Sequence, residues 1–251
     1  MTGLAGKIAI VTGASSGLGW RFAEVLAAQG ARVALAARNV DQLELLASQL
    51  RDTGADCAVF SFDAMDAAAP DALVTAIETE LGTPDVLINN AGVALGGLAH
   101  EATAETFART MAINLRTPWR LSQLCAARWI ALNREGTIVN ISSLLAKRVQ
   151  KGMSIYCASK AALQHMTACH AVEWGQYGIR VNALCPGYIR TAISADHWDT
   201  GFGKATIAKF PNRRLGAPSD LDAALLLLAD PANRFINGEA LVVDDAQGWG
   251  L

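Results

Sequence analysis

Seven short runs of continuous apolar, often β-branched residues recur along the chain: KIAIV (7–11), ARVALA (31–36), CAVFSF (57–62), DVLI (85–88), GTIVNI (136–141), IRVNAL (179–184) and EALVV (239–243). None alternates apolar with polar, as expected of strands buried on both faces. Helix-period segments lie between them, at 16–29, 41–52, 70–81, 103–132, 155–177 and 219–229. Strand and helix in alternation predict an α/β fold, a doubly wound parallel sheet with helices on both faces and right-handed crossovers. No repeat, low-complexity tract or linker interrupts the pattern, so residues 1–251 read as a single domain. The stretch 187–218 has weak periodicity and carries Gly, Pro, His and Trp. A loop of that length in a compact domain is usually functional, and a lid over a site is expected.

Composition narrows the partners. Apolar residues make up 52% of the 251 and charged residues 18%, which suits a large core and argues against disorder. A net charge of -2 offers no basic field for nucleic acid or an anionic membrane. No apolar run reaches the roughly 18 residues of a membrane span, and KIAIV follows the N-terminus with no signal peptide before it. Cys57, Cys125, Cys157, Cys169 and Cys185 are odd in number, scattered and without a CxxC pair, so reduced thiols in a cytoplasmic protein are expected. His100, His165, His170 and His197 lack metal-ligand spacing, and no metal is expected.

The chemistry gathers at strand ends. The first strand runs into TGASSGLG, with Gly13, Gly17 and Gly19 ahead of a helix that begins near Ser16. Glycine permits a tight turn and a close backbone approach, and the helix N-terminus behind it favours negative charge, so a dinucleotide pyrophosphate is the expected ligand. An acidic residue for the ribose 2′-hydroxyl belongs at the end of the second strand. That strand reads RVALAARN, with Ala37 at the acid position, then Arg38 and Asn39. A guanidinium there can fork onto a 2′-phosphate that a carboxylate would repel, so NADP(H) is expected over NAD(H). Further on, SIYCASK sets Tyr156 and Lys160 at i and i+4, stacked on one helix face. Such a pair arises easily by chance, and proton transfer or plain helix surface both remain open on spacing alone.

Six motifs in register change that. TGASSGLG (12–19), NNAG (89–92), Asn114 in MAINL, NISS (140–143), YCASK (156–160) and PGYIRT (186–191) together resemble the short-chain dehydrogenase/reductase family over essentially the whole chain. The resemblance implies a single-domain Rossmann fold with seven parallel strands, and a homotetramer or homodimer packed through the helices at 103–132 and 155–177. It implies Tyr156 as acid/base, Ser143 as second donor to the substrate oxygen, Lys160 on the nicotinamide ribose, and Asn114 kinking its helix and keeping a water behind Lys160. It further implies Ser15, Ser16 and Leu18 in the phosphate turn, Asp63 and Ala64 at the adenine, and Asn90, Ala91 and Gly92 at the adenosine ribose. Pro186, Gly187, Ile189 and Thr191 would border the nicotinamide.

Elementary chemistry agrees with the tyrosine's role. Hydride addition to a carbonyl leaves charge on oxygen, which needs a proton and a fixed donor. A lysine ammonium at about 4 Å, at an effective dielectric of about 20, is worth roughly 4 kcal/mol, nearly three pKa units on the tyrosine.

Two features depart from the family pattern. The ending VVDDAQGW replaces the usual VDGG, with Asp245 and Ala246 at the glycine positions, and Trp20 stands where a small aliphatic residue is usual. On the substrate side, Leu144, Leu145, Val149 and Met153 suggest an apolar wall, and Lys147, Arg148 and Lys151 either an anion-attracting or a solvated face. In the lid, His197, Trp198, Phe202 and Phe210 either close over a substrate or pack on one another. The expected activity is NADP(H)-linked hydride transfer between nicotinamide and a small-molecule carbonyl or secondary alcohol. A 3-oxoacyl-thioester reductase and a sugar or sugar-acid dehydrogenase are the enzymatic alternatives, the first weakened by Tyr177 where a carrier protein would want a basic residue. An NADP-binding regulator is the non-enzymatic one.

Overall fold

The computed structural model describes residues 3–191 and 195–249; the part of the expected lid at 192–194 and the side chain of His197 lie outside the described residues. The strands β1 (Ile8–Thr12), β2 (Arg32–Ala37), β3 (Cys57–Ser61), β4 (Val86–Asn89), β5 (Gly136–Ile141), β6 (Ile179–Pro186) and β7 (Ala240–Val243) form one parallel sheet. Their order is β3-β2-β1-β4-β5-β6-β7, so the winding reverses between β1 and β4. In such sheets the crevice at the carboxyl ends of the two strands flanking the reversal is where ligands bind.

Helices cover both faces: α1 (Gly17–Ala28), α2 (Val40–Asp52) and α9 (Asp222–Ala229) on one side, α3 (Ala69–Glu80), α5 (Thr117–Ala131) and α6 (Ser154–Trp174) on the other. Side chains alternate across a strand, and β1 divides accordingly. Ala9 and Val11 join Phe22, Leu26 and Leu43 in one core, while Ile8 and Ile10 join Ile77, Leu121 and Trp129 in the other. Continuous apolarity in these strands therefore reports two cores. Trp129 fills its side so closely that a Cβ on Gly136 would lie 2.2 Å from the indole, and its Nε1 donates to the Pro84 carbonyl at 2.6 Å.

The single helix expected at 103–132 is three pieces: α4 (Ala104–Met111), a π turn over Ala112–Arg116, and α5. Pro118 has no N–H to return to the Asn114 carbonyl, so the regular ladder cannot run through this point and the helix widens. The stretch 187–218 carries two short helices, α7 (Ala195–Asp199) and α8 (Gly201–Ile207), where the sequence suggested only a loop. Its ends meet: Ile189 pairs with Gly216, Arg190 N donates to Gly216 O at 2.8 Å, and Gly216 N donates to Tyr188 O at 2.9 Å.

Candidate active site

At the β1–α1 turn, Gly13 adopts φ 69°, and a Cβ there would sit 2.9 Å from Asn90 Nδ2 and 3.0 Å from the Ala91 Cα. A Cβ on Gly19 would approach the Gly13 carbonyl oxygen to 2.2 Å. Both positions must be glycine for the turn to close. Ser16 precedes α1 in extended conformation without a side-chain cap, and the first turn of α1 holds no acid. The leading amides of α1 thus face the crevice uncapped, which suits an anion. Ser15, Ser16 and Leu18 lie partly buried along the same turn. Thr191 is across from it, its Cγ2 3.5 Å from where a Gly17 Cβ would stand.

The β4 end is laced to β1. Thr12 Oγ1 accepts from the backbone N of Asn90 and of Ala91, each at 3.0 Å, and Asn90 Nδ2 donates to the carbonyls of Thr12 at 2.8 Å and Gly13 at 3.3 Å. Asn90 thereby shapes the crevice floor. At the β2 end Ala37 is buried, while Arg38 and Asn39 are exposed. Arg38 forms no ion pair among the described residues, and Asn39 Oδ1 caps α2 by accepting from Gln42 N at 3.2 Å. Asp63, exposed after β3, accepts from Met65 N at 2.9 Å, and the buried Ala64 accepts from Thr117 Oγ1 at 2.7 Å. A glycine cradle, a bare helix N-terminus and an unpaired arginine fit a nicotinamide dinucleotide carrying a further phosphate.

On the other side of the reversal stand the polar residues of the reaction end. Ser143 leaves β5 in extended conformation, is 8% exposed, and accepts from Leu145 N at 3.1 Å as it opens a short 3₁₀ turn. Tyr156, in the first turn of α6, comes within electrostatic reach of the Ser143 side chain. One turn on, Lys160 is 4% exposed and its Nζ donates to the Ile141 carbonyl at 2.7 Å. Asn114, fully buried in the π turn, accepts from Val93 N at 2.9 Å and donates to Val93 O at 2.9 Å and Ser159 Oγ at 3.0 Å. A Cβ on Gly92 would be 3.4 Å from Lys160 Nζ and 3.5 Å from Asn114 Oδ1, so the β4 turn adjoins the lysine.

Burial governs the charges here. It pushes Lys160 down to about 8, and it raises Tyr156 above its ordinary range, with the Ser143 hydroxyl nearby offsetting only part of the rise. Two features oppose the simple Coulomb lowering of the tyrosine. The lysine Nζ lies 5.9 Å from the tyrosine ring centre, and desolvation disfavours both charged forms together.

A family model described as enoyl-(acyl carrier protein) reductase matches residues 13–246. The D-threitol dehydrogenase of Mycolicibacterium smegmatis is 37% identical over 96% of this chain and 92% of its own length. The gluconate 5-dehydrogenase of Gluconobacter oxydans is 34% identical over 96% and 94%. The chain belongs to the short-chain dehydrogenase/reductase family. A crystal structure of gluconate 5-dehydrogenase from Burkholderia cenocepacia in complex with NADP and tartrate superposes with a TM-score of 0.92, at 29% identity, over 99% of this chain and 97% of that one. This dehydrogenase/reductase is an oxidoreductase acting on CH–OH and C=O groups, moving hydride between nicotinamide and a carbonyl or secondary alcohol.

Around the dehydrogenase's reaction end the sequence was a poorer guide. Val149 is 88% exposed and forms no wall, while Leu144 and Leu145 are buried. Arg148 lies over the Trp249 ring at 4.4 Å, leaving Lys147 and Lys151 exposed. In the 187–218 stretch, Trp198 and Phe210 are buried and pack on Tyr188, ring centres 5.4 and 5.1 Å away, whereas Phe202 is 64% exposed. Trp20 packs against the core and donates to Glu24 Oε1 at 3.0 Å, the filler role. The sequence reasoning overlooked Tyr188, whose hydroxyl donates to Gln150 Oε1 at 2.6 Å. It also overlooked Ser142, whose Oγ donates to the Lys160 carbonyl at 3.1 Å. Neither residue announces itself by spacing.

Among the described residues no helix is long and apolar enough to cross a membrane, and no cluster of three or more His, Cys, Asp or Glu could hold a metal ion.

Proposed function

We propose that the protein is an NADP(H)-preferring oxidoreductase for a small polyhydroxylated or hydroxy-acid substrate, with Tyr156 as the acid/base. The observation that carries this is the gathering of Tyr156 and Ser143 with buried Lys160 and Asn114, at the reversal point beside a bare helix N-terminus. When bound, the nicotinamide gives or takes the hydride. Ser143 holds the substrate oxygen, and Tyr156 gives that oxygen a proton as a carbonyl is reduced, or takes one as an alcohol is oxidised. Lys160 holds the ribose hydroxyls and, when protonated, favours the phenolate. Asn114 fixes the backbone of Val93 and the hydroxyl of Ser159, and so the geometry behind the lysine.

Arg38, exposed and unpaired at the end of β2, supports the NADP(H) preference, as does a neighbour solved with NADP. The names of the threitol and gluconate relatives support the polyol or sugar-acid class over the 3-oxoacyl-thioester alternative, as does the polar Tyr188–Gln150 pair at the reaction end. The intact Ser143, Tyr156, Lys160 and Asn114 weigh against a regulator that has lost chemistry. The chain works as one domain, with 187–218 as the substrate lid. A homotetramer or homodimer is supported by an open apolar groove of about 770 Å³ between α4–α5 and α6, lined by Met111, Leu115, Trp119 and Met166. Five free cysteines support a cytoplasmic location.

The test is absorbance at 340 nm with NADPH, NADH, NADP and NAD against small ketones, 3-oxoacyl thioesters, steroids, polyols and sugar acids. Turnover of a polyol or sugar acid, faster with the 2′-phosphorylated cofactor, is expected. Tight NADPH binding with silence across the panel would contradict the proposal.

A further inference from the structure

The family's two closing glycines are missing, yet the backbone they would serve is kept. Asp245 has φ 51° and Ala246 φ 62°, the left-handed region that non-glycine residues enter at a cost. What this bend achieves is the placement of Gln247. Its side chain is 2% exposed; Oε1 accepts from Tyr188 N at 2.6 Å and Nε2 donates to Arg214 O at 3.2 Å. Those two backbone groups are the roots of the lid, one on each side of the Ile189–Gly216 bridge. A Cβ on Gly187 would lie 2.4 Å from Gln247 Oε1, so the root has been kept bare for it.

Neighbouring bonds converge on the same point. Asp245 pairs with Arg214 at 2.8 Å and accepts from Asn212 Nδ2 at 2.7 Å. Asp244 accepts from the amides of Ala246 at 3.1 Å and Gly248 at 2.8 Å, holding the bend. The stacked Trp249 and Arg148 tie the segment to the loop before Tyr156, and Tyr188 meets that loop again through Gln150. Burial first, and then Cys157 and Tyr156 within electrostatic reach, push the Tyr188 phenol up to about 12, so it stays protonated.

We infer that Gln247 is a positioning residue: it fastens both roots of the lid and, through Tyr188, sets how tightly the alcohol or ketone substrate is held. The inference rests on the proposed reading in which that substrate lies between the lid and the 147–153 loop. It acts on substrate affinity more than on cofactor affinity, because its partners meet the cofactor crevice only beside the nicotinamide, at Tyr188, and none lies on the β1 or β2 ends that would hold the pyrophosphate and adenosine.

Gln247→Met keeps the length and removes both hydrogen bonds. With full-length protein, hydrogen exchange should accelerate at least tenfold in peptides covering 187–190 and 214–216, with and without NADPH. KM for the panel's best substrate should rise at least tenfold, while the NADPH Kd stays within twofold. Gln247→Glu, which keeps the acceptor for Tyr188, should fall between. If Gln247→Met folds poorly, Asp245→Asn retains a residue tolerant of left-handed backbone but drops the Arg214 ion pair, and should shift both readouts the same way by a smaller factor. Unchanged exchange at the two roots overturns the inference. So does faster exchange without a KM change, or a rise in KM matched by an equal rise in the NADPH Kd, which marks general loosening. The exchange arm needs no substrate, so its outcome stands apart from failure of the proposed substrate class.

Discussion

The two halves of the crevice are built on different principles. On the cofactor half, β1, β2 and β4 end in short turns whose backbone is fixed by what cannot be changed locally. Gly13 and Gly19 admit no side chain, and Asn90 and Thr12 stitch two adjacent strand ends together. On the proposed substrate half, the contacts join pieces far apart in the chain: Gln150 before α6, Tyr188 after β6, Phe210 in the 187–218 stretch and Gln247 after β7. Local constraint makes the first half legible from short motifs, and long-range assembly makes the second half free to vary. A family can therefore keep one cofactor and change its substrates.

The largest expected effect that would break this division is at Lys160, which sits between the halves. Lys160→Met should lower turnover at least a hundredfold and weaken NADPH binding. It should also stabilise the protein. Folding holds the lysine pKa at about 8, against 10.5 in the unfolded chain. Between those values the unfolded chain binds the extra proton, so stability rises with pH through about 8 to 10.5, and the burial penalty is fully felt below that window. Removing the amine should therefore add up to about 3 kcal/mol near neutrality by urea unfolding, and little at pH 10.5. A destabilised variant at pH 7 would show that the Ile141 hydrogen bond outweighs burial.

A smaller effect sharpens the cofactor half alone. Arg38→Asp should move the ratio of kcat/KM with NADPH to that with NADH by about one to two orders of magnitude toward NADH, as expected of replacing a phosphate-binding charge by a repelling one. An unchanged ratio would remove Arg38 from the 2′-phosphate site. The smallest probes the substrate half: Phe202→Ala, on the exposed face of α8, should raise KM only two- to fivefold and leave the NADPH Kd unaltered. An equal change in both would merge the two halves.

The strands and most helices were legible because burial on two faces writes apolar runs into β1 and β4, and leaves β5 and β6 mostly apolar around Thr137, Asn140, Arg180 and Asn182. The π turn was not, since its cause is a missing N–H at Pro118, which helical periodicity ignores. The glycine turn, Ser143, Asn114, Tyr156 and Lys160 were readable because each sits at a fixed offset within its own element. Gln247 was not readable, because its meaning depends on two backbone groups at 188 and 214 that only the folded chain brings within its reach. The altered ending at 245–246 was visible as a departure, but its consequence required the left-handed φ values. The burial that raises Tyr156 and lowers Lys160 was not legible either, because a pairwise estimate leaves out the desolvation of both partners.

The account's central claim is that binding and proton transfer are separable, with Tyr156 serving only the second. Its most direct test is to measure the NADPH Kd by fluorescence and kcat at 340 nm on the same preparation of Tyr156→Phe. The phenyl ring preserves packing and removes only the hydroxyl. The account predicts a Kd within twofold of wild type and a kcat reduced at least a thousandfold. Turnover near the wild-type rate would contradict it.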